Sequence, residues 1–255
     1  MLKSEVELGK SCKFIFKGEE NTADINSGTV FEDGGSVIFL KDKNYFFVGE
    51  NTILRKNSKL SLDKNDTVYI CGNTRACFSN IALWSNSIFL HGFGSGGGFT
   101  CSFKPSTNLL IGSDCIFASR VFMRTGDGHS IYDGNSKRLI NLPQSIVIGD
   151  HVWIGMDVRI LKGVKINNGS IIGACSLLVN LNIPEKCIAA GVPAKTIKEN
   201  ILWTRKESYD DEDIYSLPDV QPREIGIDKL LKINEINQTI AAKDKISAIN
   251  LIINA

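Results

Sequence analysis

The sequence lacks the features that would assign it to a membrane or nucleic-acid-binding class. It has no apolar run long enough to span a bilayer and no lysine-then-apolar signal segment at its start, so a soluble, cytoplasmic protein is expected. Its 29 basic and 28 acidic side chains leave a net charge of +1, which gives no global attraction to nucleic acid or to a membrane. Any preference for an anionic ligand must therefore be local.

Metal-binding and disulfide patterns are absent as well. The seven cysteines are odd in number, scattered and without a CxxC pair, which argues against a disulfide framework and against a zinc knuckle. The three histidines are too dispersed for a three-imidazole zinc site. A glycine-rich run from Gly92 to Phe99 lacks the Lys-Ser/Thr that a Walker loop requires, so we predict a bulge or a close backbone approach there.

What the sequence does have is a six-residue repeat from Ile148 to Ile183. An aliphatic residue opens each hexad, and the fifth place is usually small. The openers are Ile148, Ile154, Ile160, Ile166, Ile172 and Leu178, and the fifth places are Val152, Val158, Val164, Ser170, Ser176 and, as the exception, Asn182. A period of six fits neither an α-helix nor a simple alternating strand, so it predicts a β-solenoid of short strands and tight corners. Three hexads make one triangular coil.

Two coils cannot bury their own end faces, so more of the chain must belong to the stack. Upstream, apolar residues continue the period in degenerate form at Val48, Leu54, Leu60, Ile70, Ile111, Phe117 and Met123. The solenoid is therefore predicted to begin near the N-terminus. The period stops after Met123 and resumes at Ile148, which predicts a loop expelled from the coil over residues 126–145.

Beyond the repeats, the composition becomes charged and helical. We predict a β-helix domain over residues 1–200, and a linker and helical tail over residues 201–255, with the linker near 218–224. In the tail, apolar residues lie at helical spacing at Leu230, Ile233, Ile236 and Ile240. This tail is expected to cap the open end of the solenoid or to pack on a neighbouring subunit.

The run from Ile148 to Lys195, IGDHVWIGMDVRILKGVKINNGSIIGACSLLVNLNIPEKCIAAGVPAK, resembles the hexapeptide-repeat, left-handed β-helix acetyltransferases. The hexads, an isolated upstream histidine, the VWIG tetrad and the AAGVPAK segment carry this resemblance, which is close over residues 111–200 and loose before them. The segment GDGHSIYD further resembles bacterial capsule and O-antigen O-acetyltransferases, including those acting on polysialic acid. The resemblance implies an all-β, left-handed parallel β-helix, a homotrimer with sites between subunits, acetyl-CoA as donor and no metal.

Transfer of acetyl to a sugar hydroxyl needs a base near neutrality, which histidine supplies. His129 lies in the expelled loop, at the family's distance before the VWIG tryptophan, and Asp127 or Asp133 is placed to orient its ring. Trp153 points outward, and the resemblance implies that it shapes the site and holds the cofactor arm or the histidine. A backbone amide near Gly155 is expected to stabilise the oxyanion.

The resemblance also implies the residues that bind the donor. Gly155, Met156 and Ala174 would line the pantetheine path, Val179 and Asn180 would lie near its outer end, and Lys195 and Lys198 would contact the CoA phosphates. Asn180 replaces a basic residue often found there, so one phosphate contact is in doubt.

The acceptor is expected to meet a locally basic window, in which four basic residues bracket His129 and only Asp127 and Asp133 oppose them. The expected acceptor-binding residues are Arg120, Arg124, Asp127, Lys137 and Arg138. This window fits an acidic glycan such as a sialic acid polymer, and it equally fits ordinary solvated charge; a neutral capsule sugar stays open. His91 and His151 are weaker candidates, and His151 falls at an outward place. Alternative functions are N-acetyl transfer to an amino sugar, antibiotic acetylation, and a noncatalytic solenoid that serves only for assembly.

Overall fold

The computed structural model describes residues 6–205, 224–236 and 240–255. In these ranges the chain forms 23 short strands and two helices. The strands are β1 Glu7–Leu8, β2 Lys13–Phe16, β3 Thr22–Ile25, β4 Val30–Phe31, β5 Ser36–Phe39, β6 Tyr45–Val48, β7 Ile53–Leu54, β8 Lys59–Leu62, β9 Thr67–Ile70, β10 Arg75–Ala82, β11 Ile88–His91, β12 Gly96–Ser102, β13 Asn108–Ile111, β14 Ile116–Arg124, β15 Ile146–Ile148, β16 Trp153–Ile154, β17 Arg159–Leu161, β18 Lys165–Ile166, β19 Ile171–Ile172, β20 Leu177–Leu178, β21 Asn182–Ile183, β22 Ile188–Gly191 and β23 Ala194–Lys198. The helices are α1 Ile227–Asn234 and α2 Ala242–Asn254.

Parallel pairing of these strands builds a β-helix with three faces, as the hexads predict. The winding is left-handed, as the family resemblance implies. Face 1 stacks β3, β6, β9, β11, β13, β15, β18 and β21, which gives about eight turns. Face 2 stacks β1, β4 and β7, the first halves of β10, β12 and β14, and then β16, β19 and β22. Face 3 stacks β2, β5 and β8, the second halves of the same three long strands, and then β17 and β20.

The hexads pack as predicted. All six openers are fully buried, and the fifth-place residues other than Asn182 are buried beside them. The degenerate coils upstream bury their predicted residues too, from Val48 to Met123. Large aliphatic and small side chains thus alternate in a narrow prism, because dense packing near each corner leaves room for only one large group.

The prism narrows toward its C-terminal end. On face 1 the paired residues Ile25 and Val48 lie 23 residues apart along the chain, whereas Ile166 and Ile183 lie 17 apart. The last coil is therefore one residue shorter than three hexads. This shortening explains the exception at Asn182, which points outward and is exposed.

The glycine-rich run forms the predicted close approach. Gly97 has a φ of 123°, and a Cβ there would collide with the carbonyl oxygen of Phe117 in the next coil. Beside it, β12 and β14 lose register between Gly97 and Phe99, so residues 118–120 bulge outward. Only glycine tolerates this combination of φ and backbone contact.

The two helices lie against the outer surface of face 1. Leu230 and Ile233 of α1 and Ile249 of α2 pack on Tyr69 and Leu110, which are outward residues of β9 and β13. This cover explains why these strands are buried on both sides and show no alternation. The expectation that the tail caps the open end is therefore wrong, since the tail covers a side face of its own chain. Ile240 lies outside both helices, since α1 ends at Asn234 and α2 begins at Ala242.

Residues 218–223 of the predicted linker lie outside the described residues. In the described ranges, no helix has the length and apolar character needed to cross a membrane.

Candidate active site

The loop after β14 leaves the coil at the corner between faces 3 and 1 and is clamped at its base. Asp127 Oδ2 accepts hydrogen bonds from Lys162 Nζ at 2.6 Å and from Asn141 Nδ2 at 2.9 Å. Lys162 follows β17 and occupies the same corner one coil further along. Neither Lys162 nor Asn141 carries a sequence signal for this role, because their pairing depends on how the loop folds back onto the coil.

Asn141 also fixes the backbone on both sides of His129. Its Nδ2 donates to the carbonyl oxygen of His129 at 2.7 Å, and its Oδ1 accepts from the amide of Ile131 at 2.8 Å. The His129 side chain is exposed, and its imidazole has no hydrogen-bond partner in the part of the chain described above. The loop therefore presents a bare imidazole from a fixed backbone, as a general base requires.

The two carboxylates expected to orient His129 are engaged elsewhere. The hydrogen bond from Lys162 holds the pKa of Asp127 below its ordinary value, and Asn141 adds to this effect. Asp133 Oδ1 accepts from the amide of Ser136 at 2.6 Å and from its hydroxyl at 2.8 Å, which lowers the pKa of Asp133. Asp127 thus holds the loop in place. Asp133 shapes the turn of a short hairpin within the loop, in which Tyr132 and Leu139 form an antiparallel bridge.

The residues of the basic window lie in two separate places. Arg124 is half-buried at the base of the loop. Its Nη2 lies close to Gly128, 3.4 Å from where a Cβ would stand if that residue carried one. Lys137 and Arg138 are exposed on the hairpin itself. Arg120 lies elsewhere, at the corner between faces 2 and 3, where Nε and Nη2 each contact Asp157 at 2.6 Å. Arg120 is thus paired with Asp157, which is distant in sequence, and lies at a different corner from the His129 loop of its own chain. Its expected contact with the acceptor stays a prediction.

The expected donor residues occupy three separate places. Gly155, Met156 and Ala174 lie at the corner between faces 2 and 3. Val179 and Asn180 lie at the corner of the expelled loop, where the Asn180 amide donates to Lys162 O at 3.0 Å. Lys195 and Lys198 are exposed on β23, which pairs antiparallel with β22.

Gly155 has a structural role in the stacking of neighbouring coils. Its amide donates to the carbonyl oxygen of Ile172 at 2.8 Å, so it is not available to a ligand. A Cβ at this position would lie 2.6 Å from the amide nitrogen of Ala174. The glycine therefore permits close stacking of two coils. The oxyanion donor expected near Gly155 would have to be another backbone amide, and that expectation stays a prediction.

Trp153 lies on face 2, where its side chain is 43% exposed. In a three-sided prism, face 2 is opposite the corner that carries the His129 loop. One chain therefore places Trp153 and His129 on opposite sides of the β-helix. A site that contains both side chains needs a second copy of the chain.

The other two histidines have structural surroundings. His91 is fully buried in the core, at the inward place held by isoleucine in the neighbouring coils, and burial lowers its pKa to about 4. His151 lies at the predicted outward place, where it is half-buried and bonded to Asp114 and to the backbone of Trp203. Among the described residues, no group of three or more His, Cys, Asp or Glu side chains is arranged to hold a metal ion.

Comparison with known proteins agrees with this architecture. The family model "Bacterial transferase hexapeptide (six repeats)" matches residues 145–180. A polysialic acid O-acetyltransferase of Neisseria meningitidis is 34% identical over 168 residues, which cover 57% of this chain and 78% of that protein. A second polysialic acid O-acetyltransferase, from Escherichia coli O1:K1 / APEC, is 41% identical over 100 residues, or 39% of this chain. This match spans 32% of the length of the E. coli protein.

Among solved structures, the polysialic acid O-acetyltransferase OatWY superposes with a TM-score of 0.68 at 28% identity, covering 80% of this chain and 97% of that one. Fold and repeats thus define a hexapeptide-repeat transferase. The chain belongs to the hexapeptide-repeat acetyltransferase family, in which its relatives are named O-acetyltransferases.

Proposed function

We propose that this protein transfers the acetyl group of acetyl-CoA to a hydroxyl of an acidic capsular or surface polysaccharide, such as a sialic acid polymer. The observation that carries the proposal is the exposed His129 imidazole, presented by a loop that Lys162 and Asn141 brace against the coil. The names of the relatives point to the same reaction and the same class of acceptor.

His129 acts as the general base. One ring nitrogen removes the proton of the acceptor hydroxyl while its oxygen attacks the thioester carbonyl. The new C–O bond forms, the C–S bond breaks, and the proton passes from the imidazolium to the leaving thiolate. All cysteines lie outside the loop, and burial raises the pKa of Cys101 and Cys115, which disfavours an acetyl-cysteine intermediate.

The donor supplies an activated acetyl thioester, and this chain offers surfaces that fit it. Trp153, Met156 and Val179 each expose more than two fifths of their apolar side chains, which suits the methylenes of a pantetheine arm. Lys195 and Lys198 are exposed where they can meet phosphates. These surfaces support donor binding along the coil edges.

The site is proposed to form between subunits of a homotrimer. His129 would come from one chain and Trp153 from the next, because one chain holds them on opposite sides of the prism. The loop hairpin also exposes Ile131, Tyr132 and Ile140, which a neighbouring subunit would cover.

The acceptor is proposed to follow the corner that carries the His129 loop. Two coils before the loop, Trp84 is 51% exposed at this corner, and Lys104 Nζ lies 4.9 Å from the centre of its ring. Arg124, Lys137 and Arg138 continue the positive charge into the loop. An exposed indole beside ammonium and guanidinium groups suits a sugar polymer that carries carboxylates.

The test is CoA release from acetyl-CoA in the presence of polysialic acid, neutral capsule polysaccharides, simple galactosides or amino sugars. Release with polysialic acid and not with neutral sugars supports the proposal. Release with amino sugars alone would replace hydroxyl transfer by amine transfer. Absence of CoA binding would leave only a noncatalytic scaffold.

A further inference from the structure

The segment 201–205 crosses the corner between faces 1 and 2, and Trp203 anchors it on His151. The indole and imidazole rings stack with centroids 3.9 Å apart and planes 10° apart. Trp203 Nε1 donates to the carbonyl oxygen of His151 at 3.1 Å, and His151 Nε2 bonds to the carbonyl oxygen of Trp203 at 2.9 Å. Two hydrogen bonds and a ring stack therefore join the same two residues.

Asp114 and Arg205 complete the cluster. The second ring nitrogen of His151, Nδ1, bonds to Asp114 Oδ2 at 2.6 Å. Arg205 Nε donates to the other oxygen of this carboxylate, and its Nη2 donates to Cys115 O at 3.0 Å. The guanidinium and the imidazole thus share one carboxylate on the corner of the coil.

The hydrogen-bond partners fix the protonation state of His151. A carbonyl oxygen accepts only, and a carboxylate held by a guanidinium is ionised and also accepts only. Both ring nitrogens of His151 must therefore donate, which requires the imidazolium form. Loss of the proton would break one of the two bonds.

The electrostatic surroundings agree with this assignment. Burial lowers the pKa of His151, but the bonds with Asp114 and with the carbonyl of Trp203 outweigh burial and raise it above 6.5, even with Arg205 nearby. The pKa of Asp114 is held below its ordinary value because the bonds from His151 and Arg205 outweigh its burial. Asp150 turns away and accepts from the amides of Ser113 and Gly226 at 2.6 Å each.

Trp203 also touches the proposed donor site. Its ring centroid lies 6.0 Å from that of Trp153, with the planes tilted by 46°. Trp153 is the exposed tryptophan of face 2, and Trp203 borders one side of its indole. The rings of His151, Trp203 and Trp153 thus form a continuous series of contacts.

We propose that Trp203 is a positioning residue that holds the Trp153 indole for the donor, and that the imidazolium form of His151 locks Trp203 in place. This inference rests on the proposed function, because the role of Trp153 belongs to that function. The lock itself is a property of this chain and is testable without any ligand.

Tryptophan fluorescence tests the lock, because an imidazolium stacked on an indole quenches its emission. The variant W84F/W153F retains Trp203 alone. Its emission is expected to rise with pH through a midpoint above 6.5, while the same protein with His151→Gln shows no such transition. A midpoint at or below 6.5, or an unchanged transition after His151→Gln, would overturn the lock.

Calorimetric titration with CoA tests the positioning role. At pH 6, Trp203→Ala is expected to weaken binding about tenfold, whereas Trp203→Phe stays within about threefold of the unaltered protein. Leu202→Ala, at an exposed neighbouring position, is the control and is expected to bind normally. The affinity of the unaltered protein should fall as pH rises through the fluorescence midpoint, and that of Trp203→Ala should not.

A merely structural role for Trp203 would lower thermal stability without moving the pH profile of CoA affinity. Normal CoA binding by Trp203→Ala would overturn the positioning role. If the unaltered protein fails to bind CoA, the proposed function fails with it, and the fluorescence titration still decides whether the lock exists.

Discussion

Lys162 and Asp127 are joined across one coil step by a contact of 2.6 Å, and this contact connects the His129 loop to the rigid β-helix. The ammonium is largely buried, whereas the carboxylate belongs to the exposed loop. A general base on a loop works only if its position is fixed, so this ion pair should affect the reaction more than the stability of the fold.

Replacing Lys162 by methionine is expected to lower kcat/KM about tenfold, which corresponds to ~1.4 kcal/mol in the barrier. The melting temperature should change little, because the pair lies at the loop base and outside the hydrophobic core. Lys59→Met, at an exposed position of β8, is the matched control. The charge exchange Asp127→Lys with Lys162→Asp should recover part of the lost activity; no loss in Lys162→Met would show that the clamp is dispensable.

A site shared between subunits predicts complementation. His129→Ala and Trp153→Ala should each be nearly inactive alone. If the two variants are co-expressed in equal amounts and assort at random, about a quarter of the sites would combine an intact His129 from one chain with an intact Trp153 from another. Recovery of about this fraction of CoA release is expected. Mixed oligomers without any recovery would mean that each site lies within one chain.

Gly97→Ala is expected to destabilise the fold by about 2 to 3 kcal/mol, because its φ of 123° and the Phe117 carbonyl both reject a Cβ. Gly98→Ala is a control one residue away, where a Cβ meets nothing within 4 Å. Chemical denaturation of both variants measures the difference. Equal stability of the two would contradict the close approach of these coils.

The helical tail carries a buried lysine that makes its docking depend on pH. Lys245 Nζ donates to Asn65 O at 2.9 Å, and burial lowers the pKa of Lys245 to about 8 despite the nearby Asp66 carboxylate. The unfolded chain binds this proton more tightly than the folded chain does. The free energy of unfolding of the unaltered protein, minus that of Lys245→Met, should therefore increase as pH rises from about 8 toward the ordinary pKa of lysine. Unfolding free energies of both proteins across this range test it; a constant difference would contradict the assignment.

The repeat predicts most of the fold because it is enforced by packing at every sixth residue. The residues that open the hexads, from Ile148 to Leu178, had to point inward, and only a small side chain fits at Ser170 or Ser176. The one-residue shortening before Ile183 was visible only as the exception at Asn182. The place of the tail was not predictable, because helical spacing identifies an apolar side of α1 but not the surface that it covers.

The candidate site is predictable only in part, since its contacts join residues that are far apart in sequence. His129 and Trp153 are marked by motifs, whereas the partners that hold them are not. Asn141 and Lys162 become neighbours of Asp127 only when the loop folds back, and the pairing of Arg120 with Asp157 likewise depends on the stacking of two coils. Trp203 reaches Trp153 only because the chain turns back along the corner after the last coil.

The central claim is that His129 is the base that deprotonates the acceptor hydroxyl. The most direct measurement is the rate of CoA release with an acidic polysaccharide acceptor for His129→Ala, compared with the unaltered protein at equal CoA affinity. The account predicts a loss of at least about 100-fold in kcat with little change in KM for acetyl-CoA. An unchanged kcat in a folded, CoA-binding His129→Ala protein would contradict it.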